Sequence, residues 1–253
     1  MTAPGGVPPV LSADALRRLR REAALRLAEL AALYAELPAT RCRRRARCCA
    51  LLPAATLIEA LAVLDRLAAL PGGTRRRVTR RLVEWFFRNA VEIPGCPFLE
   101  DGACLVYEAR FFGCRAYGLW SPGRYRRLAE ADRAAREGLR AQWARLGVHL
   151  PRAVTGFHVP YCREVRAAAG TLPGDETLLD LSERVEALSR AAGPAHETFR
   201  TVFYGDLGFL AAALALGLDG AVAGKFHWTR AAVQGRAAGP APPEGEIPDL
   251  FGP

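Results

Sequence analysis

The stretch 94–118, PGCPFLEDGACLVYEARFFGCRAYG, constrains this chain more than any other. Cys96, Cys104 and Cys114 sit there among residues that make tight turns: Pro94, Gly95, Pro97, Asp101, Gly102 and Gly113. A helix interior does not tolerate that punctuation, and a sheet core is not built from it. A segment so loop-like needs something besides a hydrophobic core to fix its shape. Thiolates on a metal supply it. A second group upstream, Cys42, Cys48 and Cys49, offers further ligands. The two groups are expected to meet in space.

Composition sets the frame for that site. The chain has 253 residues, of which 51% are hydrophobic and 24% charged. Such a chain suits one large globular domain, or one domain with an appendage. The formal charge is +9, and it is carried almost wholly by arginine, since Lys225 is the only lysine. Together with abundant Ala, Leu, Gly and Pro, this is what a high-GC coding sequence gives. The arginine bias is therefore weak as a functional signal. A basic chain still favours anionic partners such as nucleic acid or phosphorylated ligands. The plain alternative is arginines that solvate helix faces.

No secretory pattern is read in the first twenty residues. The longest apolar run, 207–218, is too short for a bilayer core of roughly 30 Å, so no membrane partner is expected. The expectation is a cytoplasmic protein. In a reducing compartment, seven cysteines point to metal or redox chemistry rather than disulfides.

The rest of the chain reads as helices. Ser12 is placed to cap a helix whose apolar positions Leu16, Leu19, Ala23, Leu27, Leu30 and Tyr34 follow steps of three and four. Further helices are expected over 56–70, from Thr74 to about 91, over 121–147 with Pro122 at its first position, over 176–192 and over 197–216. Arginines crowd the start of the second of these, where they oppose the macrodipole and leave room for an anion. Without sustained alternation, strands are limited to a short hairpin pairing 103–107 with 114–117. The expected fold is mainly α: an irregular helical domain with a cysteine-rich metal-binding loop region and little or no β-structure. Its parts are a disordered N-terminus (1–11), an N-terminal helix (12–37), a cysteine-cluster module (38–170), a C-terminal helical part (171–235) and a disordered Pro/Gly-rich tail (236–253).

Thiolates are soft ligands that suit zinc and iron–sulfur clusters. A four-cysteine zinc site normally shows two tight pairs. Here the spacing is C-x5-C-C followed by single cysteines, and buried structural thiols are the alternative. The second block reads Gly95-Cys96-Pro97-Phe98-Leu99, Gly102, Cys104, Tyr107-Glu108, Arg110, Cys114-Arg115 and Tyr117. With the first block, it resembles the YkgJ-type cysteine-cluster family, described as a zinc- or iron-chelating domain with a C-x2-C-x2-C-C motif. The resemblance covers about a third of the chain. Cys42, Cys48 and Cys49 fall on motif positions, but Arg45 stands where the family has a cysteine, and Phe111 where it has proline.

The resemblance implies Zn2+, iron or a [4Fe–4S] cluster held by Cys42, Cys48, Cys49, Cys96, Cys104 and Cys114. Cys162, in FHVPYCREV, is the candidate to replace the ligand missing at Arg45, with His158 a weaker one. Arg110 and Arg115 would offset thiolate charge, Glu108 would pair with one of them, and Tyr107 would pack beneath the loop. No Ser/His/Asp arrangement, phosphate loop or dinucleotide fingerprint is present. Three functions remain. One is a metal- or cluster-binding protein. Another is an iron–sulfur enzyme that modifies a protein or small molecule, because flagellin lysine methylases carry a similar cluster. The third is a basic nucleic-acid-binding protein with a structural metal. Oligomeric state is not readable from the chain.

Overall fold

A computed structural model describes residues 6–41, 46–168, 170–236 and 249–252. Cys42 and Arg45, the segment 1–5 and most of the expected tail lie outside the described residues. The protein is mainly helical, as the periodicity predicts. Among the described residues are eleven α-helices and four two-residue strands.

The first expected helix is two: α1 (Ala13–Glu22) and α2 (Ala24–Ala35). Ser12 caps α1, its hydroxyl accepting from the Ala15 amide at 3.3 Å. At Ala23, which is fully buried, the backbone leaves helical geometry. Stripe positions on both sides of the break bury Leu16, Ala23, Leu30 and Tyr34 in one core. The central element is α3 (Leu57–Ala68), started by a Thr56/Glu59 capping box. Eight of its twelve residues are buried, so it has neighbours on nearly every side. Next comes α4 (Gly72–Arg88), which starts two residues before Thr74, with Pro71 as its N-cap. The cysteine stretch follows, with strands β2 (Leu99–Glu100) and β3 (Ala103–Cys104) and the one-turn helix α5 (Phe112–Arg115). Strand β1 (Thr40–Arg41) lies before it in the chain and pairs antiparallel with β4 (Arg166–Ala167).

After the cysteine stretch, α6 (Pro122–Arg145) is capped by the Ser121 hydroxyl as expected, and α7 (Arg152–Thr155) and α8 (Asp175–Arg190) follow. The helix expected over 197–216 is again two, α9 (Pro194–Thr201) and α10 (Leu207–Leu216). The break has a packing cause. Gly205 has φ +70°, its carbonyl accepts from the Ala55 amide at 2.9 Å, and a Cβ there would stand 2.6 Å from the Ala55 carbonyl. Only a bare backbone approaches the entry to α3 so closely. Asp206 then caps α10, accepting from the amides of Gly208 and Phe209. The last helix is α11 (Leu218–Val233). It makes a 109° bend with α10, and no single helix among the described residues is long and apolar enough to cross a membrane.

Two expectations about order at the chain ends need correction. Leu11 is fully buried in the main core, on a 3-10 turn over Pro9–Leu11, so the N-terminal segment is packed from there. At the other end, Leu250 and Phe251 are 7% and 2% exposed in the same core. Apolar side chains beside a Pro/Gly-rich tract found a groove to fill. That core runs from Leu11 to Phe251 and takes residues from both sides of position 170, so the expected boundary there does not divide it.

Candidate functional site

Turn chemistry shapes the cysteine stretch. Asp101 and Gly102 both have positive φ, +49° and +74°, the pair of conformations that a two-residue type I′ hairpin needs. The resulting hairpin pairs Leu99 with Cys104 and Glu100 with Ala103, not 103–107 with 114–117 as expected. Upstream, Cys48 and Cys49 lie on a 3-10 turn, Arg47–Ala50. The Cys96 amide donates to the Cys49 carbonyl at 2.6 Å, which joins the two cysteine groups through the backbone. Cys114 rides on α5.

These segments enclose a cavity of about 340 Å³. Cys48, Cys49, Cys96, Cys104 and Cys114 all line it. The apolar part of its wall includes Leu52, Val63, Phe98, Val106 and Phe111. The Sγ atoms of Cys48 and Cys49 are 3.9 Å apart. All six described cysteines are free thiols. Among the described residues, no three Cys, His, Asp or Glu side chains are grouped closely enough to hold an ion. The donors are therefore gathered around one space but not drawn into a single coordination shell.

Burial decides the state of most of these thiols. It pushes Cys96 up to about 12, and it raises Cys104 and Cys114 as well. Cys48 is lowered to about 6, first by its hydrogen bond with Cys49, with the Arg110 charge also helping. Cys49 is raised, as the partner that keeps the proton.

Arg110 stands on the cavity wall. Its guanidinium lies 3.7 Å from the Tyr107 ring centroid, and its Nε donates to the Tyr107 carbonyl at 3.0 Å. Tyr107 is 44% exposed, so it supports Arg110 from outside rather than packing beneath the loop. Arg115 donates from Nε to the Arg110 carbonyl at 2.9 Å and from its terminal nitrogen to the Glu108 carbonyl. Glu108 thus meets arginine through its backbone, and the expected side-chain ion pair is not formed.

Glu59 is the anchor that sequence reasoning missed. It is 3% exposed. Its carboxylate accepts from the Tyr34 hydroxyl at 2.6 Å, from the Thr56 amide at 2.8 Å and hydroxyl at 2.9 Å, and from the Phe112 amide at the start of α5. Arg115 in turn lies over the Tyr34 ring at 4.3 Å. The helical scaffold thereby grips the segment that carries Cys114. The Thr-x-x-Glu pattern at 56–59 was a visible cap signal, but its tertiary partners were not.

Cys162 does not line the cavity. It is half-buried against the small cluster of Ala116, Leu119, Val165 and Leu178. Its segment forms a strap along one side, where Val165 and Tyr117 do line the cavity. Tyr117 donates to the Pro160 carbonyl at 2.5 Å, Tyr125 to the Val159 carbonyl, and Tyr161 to the Trp120 carbonyl at 3.2 Å. Pairing of Arg41 with Arg166 brings the residue just before Cys42 against the strap's end. His158 is exposed on the strap.

Of the arginines expected to await an anion at α4, Arg75, Arg77 and Arg81 have partners within the chain. Arg75 donates from Nε to the Asp249 carboxylate at 2.7 Å, and Arg77 and Arg81 reach Glu100 at 2.7 and 3.0 Å. Compared with family models, curated proteins and solved structures, the chain matches none.

Proposed function

We propose that the protein binds a soft metal ion or an iron–sulfur cluster through the thiols of the cavity. Cys48, Cys49, Cys96, Cys104 and Cys114 would be the donors, with Cys42 and Cys162 as candidates from its flanks. The observation that carries the reading is the meeting of five cysteines, from three separate segments, around one space. Chance burial of small hydrophobes does not call for that convergence. Thiolate sulfur selects zinc, copper(I) or iron–sulfur clusters over hard cations. Arg110 adds a positive charge that favours the thiolate form of Cys48, Cys104 and Cys114. The resemblance to YkgJ-type sequences points the same way. Because the thiols are not yet in one shell, binding would draw them inward and release their protons. The nucleic-acid reading has less behind it, since Arg75, Arg77 and Arg81 are held by Asp249 and Glu100.

The test is zinc, iron and sulfide analysis of anaerobically purified wild type beside Cys96→Ser and Cys162→Ser. Stoichiometric metal in the wild type, lost in Cys96→Ser with the helical circular-dichroism signal kept, is the expected result. Folded wild type without metal, and unable to take up zinc or iron, would overturn it.

A further inference from the structure

The cavity has room for more than a metal ion. Its volume of about 340 Å³ is far above the ~15 Å³ that admits one water molecule. It falls in the range where small-molecule sites begin, roughly 300 Å³. Thiols occupy part of its wall, and another part is apolar, with Phe98, Val106 and Phe111 at 3% exposure or less. Among the described residues, Arg110 and Arg115 are the charged ones on that wall.

Many arginines of this chain have no carboxylate partner among the described residues, but these two line a cavity that also has an apolar wall. Arg17, Arg75, Arg77, Arg81, Arg88, Arg140 and Arg184 each meet a carboxylate. Among the described residues no carboxylate pairs with Arg110 or Arg115. Arg115 spends its donors on the Glu108 and Arg110 carbonyls. Arg110 spends only Nε, on the Tyr107 carbonyl, and the Tyr107 ring holds the guanidinium plane at 3.7 Å. Its two terminal nitrogens keep the fork that carboxylate and sulfonate groups fill.

We infer that the cavity binds a small organic anion, with Arg110 receiving the anionic head and Phe98, Val106 and Phe111 covering an apolar body beside the thiols. The inference rests on the thiol cavity being the protein's working site, as proposed above. Offsetting thiolate charge, the role given to Arg110 above, by itself predicts no preference among organic ligands.

The full chain as purified would be titrated with 8-anilinonaphthalene-1-sulfonate and with N-phenyl-1-naphthylamine, the same aryl framework without the sulfonate. Metal content is measured on the same samples. The expected result is saturable one-site binding of the sulfonate, at least about tenfold tighter than the neutral probe. Arg110→Gln should remove that preference and leave the neutral probe's affinity unchanged, with the comparison made at equal metal content. Equal affinity for the two probes, no saturable binding, or an Arg110→Gln variant that keeps the sulfonate preference would each overturn the inference. A metal-free wild type that still shows Arg110-dependent sulfonate binding would sink the metal reading alone. An unfolding transition of Arg110→Gln as cooperative as that of wild type excludes misfolding as the cause.

Discussion

Glu59 shows at the scale of one residue how the cysteine segment is fixed. Its carboxylate takes four hydrogen bonds, and two come from groups with no other acceptor nearby in sequence: the Tyr34 hydroxyl and the Phe112 amide. A buried donor left unpaired costs about 1–3 kcal/mol. Glu59→Ala orphans both, so it should destabilise the protein by roughly 2–6 kcal/mol, against about 1 kcal/mol for Tyr34→Phe. Urea unfolding midpoints measure both, and an alanine variant as stable as wild type would remove Glu59 from this role. The difference in legibility between Glu59 and the cysteines is physical. A cysteine in a turn-rich loop announces a chemistry by its type and setting. A buried carboxylate is a local cap in the sequence, and its contact with Phe112, 53 residues away, exists only once α3 and the loop have packed. Tyr107 and Glu108 were misread for the same reason. Their types allowed packing and an ion pair, but the short turn at 107–109 points one outward and uses only the backbone of the other.

Elements with their own start signals were legible, and breaks made by tertiary packing were not. Ser12 and Ser121 mark α1 and α6 in the sequence and cap them in the structure. Nothing local at Ala23 announces the turn found there, and at 202–206 the local signals are Gly205 and the capping Asp206. The turns follow from what the chain must pass, as Gly205 passes Ala55. The strap over 157–165 is the element whose fixing bears most on the site. It has no regular secondary structure, and three tyrosine hydroxyls tie it to the α5–α6 region. Each neutral hydrogen bond is worth about 1 kcal/mol net, which is roughly a fivefold change in an opening equilibrium. Tyr125→Phe should therefore speed tryptic cleavage after the exposed Arg163 about fivefold, with global stability lowered by no more than about 1 kcal/mol. A cleavage rate equal to wild type would mean that the strap is held elsewhere. The double variant with Tyr117→Phe should cleave faster still.

On the scale of the whole molecule, the net charge of +9 says less than its arrangement. The anion that the arginine-rich start of α4 called for is Asp249, delivered by the chain's own end. That closure was hidden because Pro/Gly-rich composition reads as tail until Leu250 and Phe251 are seen in the core. The thiols give the molecule a pH dependence of definite sign. In metal-free protein the folded state holds the Cys96 proton up to about 12, against an ordinary 9.0. That contribution is fully present below pH 9 and is lost as pH rises from 9 toward 12. At about 1.4 kcal/mol per decade, the three decades amount to roughly 4 kcal/mol for Cys96. Cys104 and Cys114 act in the same direction. Lys225 opposes them. Burial lowers it from 10.5 to about 8, so its cost to the folded state is full below 8 and fades as pH rises to 10.5. Several thiols stand against one ammonium, and the net expectation is a fall in stability above pH 9. Urea midpoints of metal-stripped protein at pH 7, 9 and 10.5 should therefore decline across the last interval. Cys96→Ser should decline less, because the term that belongs to Cys96 is gone while Lys225 is untouched. Identical pH profiles for wild type and Cys96→Ser would show that this thiol is solvated rather than buried. They would leave the cavity too open to exclude water from whatever the thiols hold.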